Sequence, residues 1–196
     1  MKNRILMGIA ALMMVAVLVG CGKEPVDMVD AAKAAVAAAK TAEADIYLPV
    51  EFAALQDSLD VVLTEIESQN SKLFKSFSAP KLKLDQVTAM ANEVVTKTGI
   101  RKEEVKSADV GLLAELTTVM EENTGLIAKA PKGKEGQAVL EQIRAEMTEI
   151  QGSMTEAQTL VDKGAFMDAH NKVTVAKEKA VGINTELKEA IAKVKR

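Results

Sequence analysis

An all-α fold is predicted for this chain: an elongated bundle of about six helices, arranged as two degenerate three-helix repeats. Apolar residues recur at alternating three- and four-residue steps through most of the sequence, the spacing that lines side chains along one stripe of a helix. No segment alternates apolar and polar residues with the period of two expected of a half-buried strand. The third observation is composition. With four Phe, one Tyr and no Trp in 196 residues, the core has to be assembled from Ala, Val, Leu, Ile and Met, as in many helical bundles.

The first 20 residues stand apart from this pattern. Met1 to Arg4 carries two positive charges, Ile5 to Val19 is an apolar run of 15 residues with one glycine, and Gly20 and Gly22 flank Cys21. That layout is a secretory signal peptide. The run is shorter than the roughly 20 apolar residues needed to cross a hydrocarbon core. Leu18-Val19-Gly20-Cys21 resembles the lipobox of bacterial lipoproteins. The resemblance implies that Cys21 is diacylated on sulfur, that residues 1–20 are removed, and that Cys21 becomes the first residue of the mature chain. A thiol can be alkylated to a thioether, and each buried methylene of its acyl chains contributes about 0.8 kcal/mol, so that two or three chains give a stable anchor where one does not. Cys21 is the only cysteine, which excludes a disulfide within the chain. Gly22 in place of Asp after the cysteine implies, within the same resemblance, the periplasmic face of a bacterial outer membrane.

Residues 21–25 form a short lipidated tether, 26–100 the first helical repeat and 107–196 the second. Helix one is expected over residues 26 to 47, where alanine, the best helix former, dominates; Pro49 ends it, because the residue before a proline avoids helical geometry. Helix two follows from Phe52, Leu55, Leu59, Val62 and Ile66, with Gln69 on the same stripe and Leu73 resuming it. Phe74 to Pro80 breaks the pattern, with Ser78 available as an N-cap and Pro80 tolerated in a first turn. Leu84, Val87, Ala91 and Val94 mark helix three, with Gly99 as its C-cap. After the charged connection 100–106, Ser107 caps helix four, whose stripe is Val110, Leu113, Leu116, Met120 and Ile127. The segment around Pro131 is a linker. Helix five carries Val139, Ile143, Met147, Ile150, Met154, Ala157 and Val161 up to a turn at Lys163-Gly164. Helix six carries Phe166, Ala169, Val173, Ala176, Ala180, Ile183, Leu187 and Val194.

The two halves answer each other. Leu63 to Ile66 (LTEI) matches Met147 to Ile150 (MTEI), Pro49 matches Pro131, and Phe77 matches Phe166, at offsets of 84, 82 and 89 residues. Repetition of a helix, proline corner, helix, turn, helix unit accounts for all three.

Little in the chain points to chemistry. His170 is the only histidine, and a carboxylate metal site in a bundle wants Glu three residues before each of two histidines. Met167 occupies that position, so His170 is expected at the surface or an edge, with no metal ligand role. There is no Gly-x-Ser-x-Gly and no phosphate-cradling glycine loop, and Glu103-Glu104 and Glu121-Glu122 are adjacent residues that do not face each other on a helix. No catalytic residue, metal or cofactor is therefore expected, and the chain is not read as an enzyme. Loss of Lys2 and Arg4 with the leader takes the net charge from −3 to −5, which argues against nucleic acid as a partner.

Residues 44 to 60, ADIYLPVEFAALQDSLD, and more weakly 163 to 180, KGAFMDAHNKVTVAKEKA, resemble an uncharacterised family of alanine-rich helical lipoproteins of proteobacterial envelopes. Its marks are an Ala-rich helix, a Tyr-x-Pro-x-Glu corner, here Tyr47, Pro49 and Glu51, and a Gly-x-aromatic turn, here Gly164 and Phe166. The resemblance implies the helical fold and the envelope location, and supplies no activity. The expected function is a non-catalytic scaffold, spacer or adaptor, with the membrane as partner through Cys21 and envelope proteins or peptidoglycan as further ones. Stripes of this kind also permit a homo-oligomer. The alternative is a periplasmic binding protein holding a small or lipidic ligand in a groove between helices, lined by Met120, Met147 and Met154.

Overall fold

The computed structural model describes residues 22–131 and 133–194, so Cys21 and the expected leader lie outside the described residues. Within them the chain is all-α, with six helices and no strand: α1 (Val26–Thr41), α2 (Ala44–Tyr47), α3 (Pro49–Asn70), α4 (Ser78–Lys129), α5 (Lys134–Asp162) and α6 (Phe166–Val194). They fall into two compact units, with the division of the chain between Ile100 and Arg101. None of the described helices is long and apolar enough to cross a membrane.

The first unit holds α1, α2, α3 and the first part of α4. Ala32, Val36 and Ala39 of α1 are buried with Phe52, Leu55, Leu59, Val62 and Ile66 of α3 and with Leu84, Val87, Ala91 and Val94 of α4 in a single core. The three- and four-residue steps predict the α3 and α4 positions, and burial of each Leu or Phe is worth about 1.5–3 kcal/mol. Helix one, expected unbroken over 26–47, is instead split. The α1 helix closes with hydrogen bonds from Ala42 N–H to Ala38 O and from Glu43 N–H to Lys40 O, and Glu43 takes a left-handed conformation with φ 69°. That kink turns the chain so that Ala44 and Tyr47 are buried at the corner. Pro49 then opens α3 at a position where its missing N–H would in any case be unpaired.

The expected continuation of the α3 stripe to Leu73 does not occur. The helix ends at Asn70, and Leu73 lies in the following turn with 90% of its surface exposed. Phe77, fully buried, is the residue of that turn which the core takes in. Ser78 and Pro80 sit in the first turn of α4.

The expected C-cap at Gly99, connection at 100–106 and new start at Ser107 are all absent. α4 runs unbroken through them. One interior glycine costs about 1 kcal/mol relative to alanine, which good helix formers on either side can outweigh. Here Lys97 pairs with Glu93, Arg101 with Glu104 and Lys106 with Glu103 along the helix surface, contacts of the kind that add a few tenths of a kcal/mol each. Continuity also moves one position of the expected stripe, while Leu116 and Met120 are buried as expected. Counting on from Leu84, Ala91, Thr98 and Val105, the core position falls on Asp109 rather than on Val110, and Val110 is 57% exposed.

The second unit holds the remainder of α4 with α5 and α6. Its core gathers Leu116 and Met120, Leu140, Ile143, Ile150 and Ala157, and Val173, Ala176, Ala180, Ile183 and Leu187. Val139, expected in the α5 stripe, is exposed, and its neighbour Leu140 is buried in its place. Pro131 separates α4 from α5, and Gly164 reverses the chain into α6 with φ 79°, a conformation that favours glycine. Both units thus run helix, proline corner, helix, turn, helix. One matched motif occupies matched environments, with Ile66 and Ile150 buried and Leu63 and Met147 packed partly buried against their respective cores, whereas Phe77 is fully buried before its helix and Phe166 is only partly buried at the start of its own.

Candidate functional site

The buried polar side chains of the second unit collect along the contact between α4 and α6. Asp109 is buried in α4, and His170, half-buried in α6, donates from Nδ1 to its Oδ1 at 2.8 Å. The other carboxylate oxygen, Oδ2, is buried without a hydrogen-bond partner. Burial pushes the Asp109 carboxyl above its ordinary value of 3.8, and the hydrogen bond and charge of His170 pull against that rise. Two heptads further on, Asn123 is fully buried. Its Nδ2 donates to the carbonyl of Ala180 at 2.8 Å, and its Oδ1 accepts from Asn184 Nδ2 at 2.8 Å.

Ion pairs and a ring contact continue the seam at the surface. Lys177 of α6 pairs with Glu115 of α4, and Lys188 pairs with Glu122 at 2.9 Å. The Lys188 hydrogen bond, with the Lys188 charge and Asn184 assisting, holds the Glu122 carboxyl below its ordinary value against the opposing effect of burial. Lys106 lies 5.9 Å from the centre of the Phe166 ring, within cation–π range. The partners Asp109 and His170, Glu115 and Lys177, and Asn123 and Asn184 are separated by 61, 62 and 61 residues. A constant separation means that the two helices run parallel in one register, as α4 and α6 must when α5 returns between them.

Chemically, the seam fixes register. A polar side chain at a heptad core position is satisfied only when its partner arrives at the same level, so a slipped pairing leaves it buried and unpaired. Asn123 and Asn184 meet that condition, and Asp109 meets it through one oxygen. No three His, Cys, Asp or Glu side chains among the described residues converge to hold a metal ion.

His170, expected at the surface or an edge, lies half-buried in the seam, and the residue that sequence reasoning missed is its partner. The signal lay in the heptad count: Asp109, Leu116, Asn123 and Ala130 follow one another at seven-residue steps and are all buried. The break expected at residues 100–106 concealed it. Met120, Met147 and Met154, expected to line a groove, pack in or against the second core. The open surface between α5 and α6 has a shallow groove of about 510 Å³ bordered by Glu149, Ser153, Asp168, Lys172 and Lys179. A smaller and more apolar hollow of about 230 Å³ lies at the proline corner, among Pro131, Val139, Leu140, Leu187 and Ala190. Cys21, the expected lipidation site, lies outside the described residues. Comparison of the chain with protein-family profiles, with curated proteins and with solved structures finds no match to any of them.

Proposed function

We propose that this chain is a lipoprotein of the bacterial cell envelope, held on the periplasmic face of the outer membrane by acyl chains on Cys21, and that its helical units act as a non-catalytic scaffold, spacer or adaptor. The observation that carries this reading is the ordered succession at the amino terminus of basic residues, a 15-residue apolar run and Leu18-Val19-Gly20-Cys21. The tether after Cys21 is short, so the helices begin next to the membrane surface. Further support comes from how the polar groups of the second unit are used. Asn123, Asn184, Glu115 and Lys177 are engaged with one another across α4 and α6 rather than directed together into a cleft.

In this reading the exposed helix faces are the working surface. Replacing Cys21→Ser in the native host is expected to leave the leader attached and to remove the protein from the outer-membrane fraction. Photo-crosslinking in cells from the exposed positions of Val110 or Val175 is expected to capture envelope components. A protein that is correctly anchored yet forms no adduct from any exposed helix face contradicts the scaffold reading.

A further inference from the structure

Leu73 and Phe74, in the turn between α3 and α4, are 90% and 89% exposed, more than any other large apolar side chain among the described residues. The turn that carries them is tied down. Phe77 is buried in the first core, Ser76 N–H donates to Gln69 Oε1 at 3.3 Å, and the Ser76 and Ser78 hydroxyls lie 3.3 Å apart. The turn is therefore anchored by one phenylalanine while presenting the other, with a leucine, to its surroundings.

Charge in this stretch has one sign. From Ser68 to Leu84 the sequence holds Lys72, Lys75, Lys81 and Lys83 and no acidic residue, in a chain whose net charge is −3. Lys83 pairs with Glu65. Lys72 and Lys75 directly flank the apolar pair and are exposed.

Topology decides which way the turn faces. α1 and α3 pack against each other within the first core and are joined by the tight corner at 42–48, and helices connected in this way run antiparallel. α3 is 22 residues long, against 16 for α1 and 4 for α2, so its last turn comes back level with the start of α1. The Glu65–Lys83 pair sits nine residues to either side of Phe74, which places Phe74 at the tip of the α3–α4 hairpin. The tip thus lies at the end of the unit from which Pro25, itself buried, leads back toward Cys21. The three residues Gly22 to Glu24 can span no more than about 11 Å.

We propose that the Leu73–Phe74 turn is a second membrane contact, in which the two apolar side chains enter the interface of the bilayer that holds the acyl chains while Lys72 and Lys75 meet its anionic headgroups. This inference rests on the lipoprotein reading, because the anchor at Cys21 is what brings a bilayer to this end of the unit. Apolar residues flanked by lysines are the composition of an interfacial contact. Tethering makes the contact intramolecular, so it need not be strong enough to bind a membrane unaided. Two points of attachment in place of one limit how the first unit can swivel about its tether.

The chain contains no tryptophan, so Phe74→Trp supplies a single fluorescent reporter, and Ile46→Trp, at an exposed position in the opposite corner of the unit, supplies its control. Acylated protein purified from its host would be reconstituted in vesicles of phosphatidylcholine with a minority of phosphatidylglycerol, brominated on the acyl chains. The Phe74→Trp emission is expected to be blue-shifted and quenched by bromine, and the Ile46→Trp emission to remain water-like. Adding Lys72→Glu and Lys75→Glu is expected to lower the ratio of inserted to free turn on the order of fivefold per lysine. The intact mass of the same preparation reports the state of Cys21. An acylated protein whose Phe74→Trp reporter stays unquenched and unshifted overturns the contact and leaves the anchor reading standing. A reporter that is blue-shifted but unquenched assigns the turn to a protein surface and equally overturns it. A free thiol with the leader attached removes the anchor reading, and this inference with it.

Discussion

Asp109 is a carboxylate at a position where the heptad pattern calls for an apolar residue, and its environment sets two opposing effects against each other. Burial favours the neutral acid, while His170 favours the charged form. Because burial is the larger, the folded-state value lies above 3.8, and the group's contribution to stability is fully present below the ordinary carboxylate range and is lost as pH rises through the raised value. Asp109→Leu removes both the charge and the unpaired Oδ2. It is expected to be neutral or stabilising by about 1–4 kcal/mol at neutral pH, with its advantage over the parent shrinking as pH falls through the raised value toward 3.8 and changing no further below it. His170→Ala leaves Asp109 buried with neither oxygen paired and is expected to destabilise by about 1–3 kcal/mol. Urea unfolding followed by circular dichroism at several pH values measures both, and a silent His170→Ala would mean that the pair does not form. Residue types alone conceal this pair, because a sequence separation of 61 between Asp109 and His170 leaves no local signal. Only the register of two helices brings them together.

At the scale of the helices, the sequence was legible wherever the stripe was long and unbroken. Phe52 through Ile66 and Ala169 through Leu187 are buried at the expected positions, as are Ile143, Ile150 and Ala157, with Met147 and Met154 packed partly buried against the same core. The readings that failed rest on a few residues whose local preferences were outweighed. Gly99 resembles a C-cap, yet it lies inside α4, where a Cβ would meet nothing within 4 Å. Leu73 is in phase with α3, yet the helix stops at Asn70 and Phe77 fills the core. Glu43 belongs to an alanine-rich helix by composition and adopts a left-handed conformation because the corner requires one. Glycine substitution separates the two kinds of site. Gly99→Ala is expected to raise stability by about 0.5–1 kcal/mol, as for any exposed glycine in a helix interior. Gly164→Ala, which forces a side chain into φ 79°, is expected to lower it by about 1–2 kcal/mol. Thermal unfolding of the two variants decides the point. Destabilisation by Gly99→Ala would restore the helix break at residue 99.

For the molecule as a whole, the proposed function rests on residues 1–21, which lie outside the described residues. The two cores account for why the chain is helical and why it divides near residue 100. The seam of Asp109, Asn123, His170 and Asn184 accounts for why α4 and α6 keep one register. These features belong to two helical units with exposed helix faces, and the proposed anchor holds the first of them at the membrane. The same anchor gives meaning to the lysine-flanked Leu73–Phe74 tip, which topology returns to the amino-terminal end of the first unit. The measurement that tests this account most directly is the intact mass of the protein isolated from the membranes of its native host. Loss of residues 1–20 together with the added mass of a diacylglycerol thioether on Cys21 is the expected result, and an unmodified Cys21 thiol with the leader still joined would contradict the account.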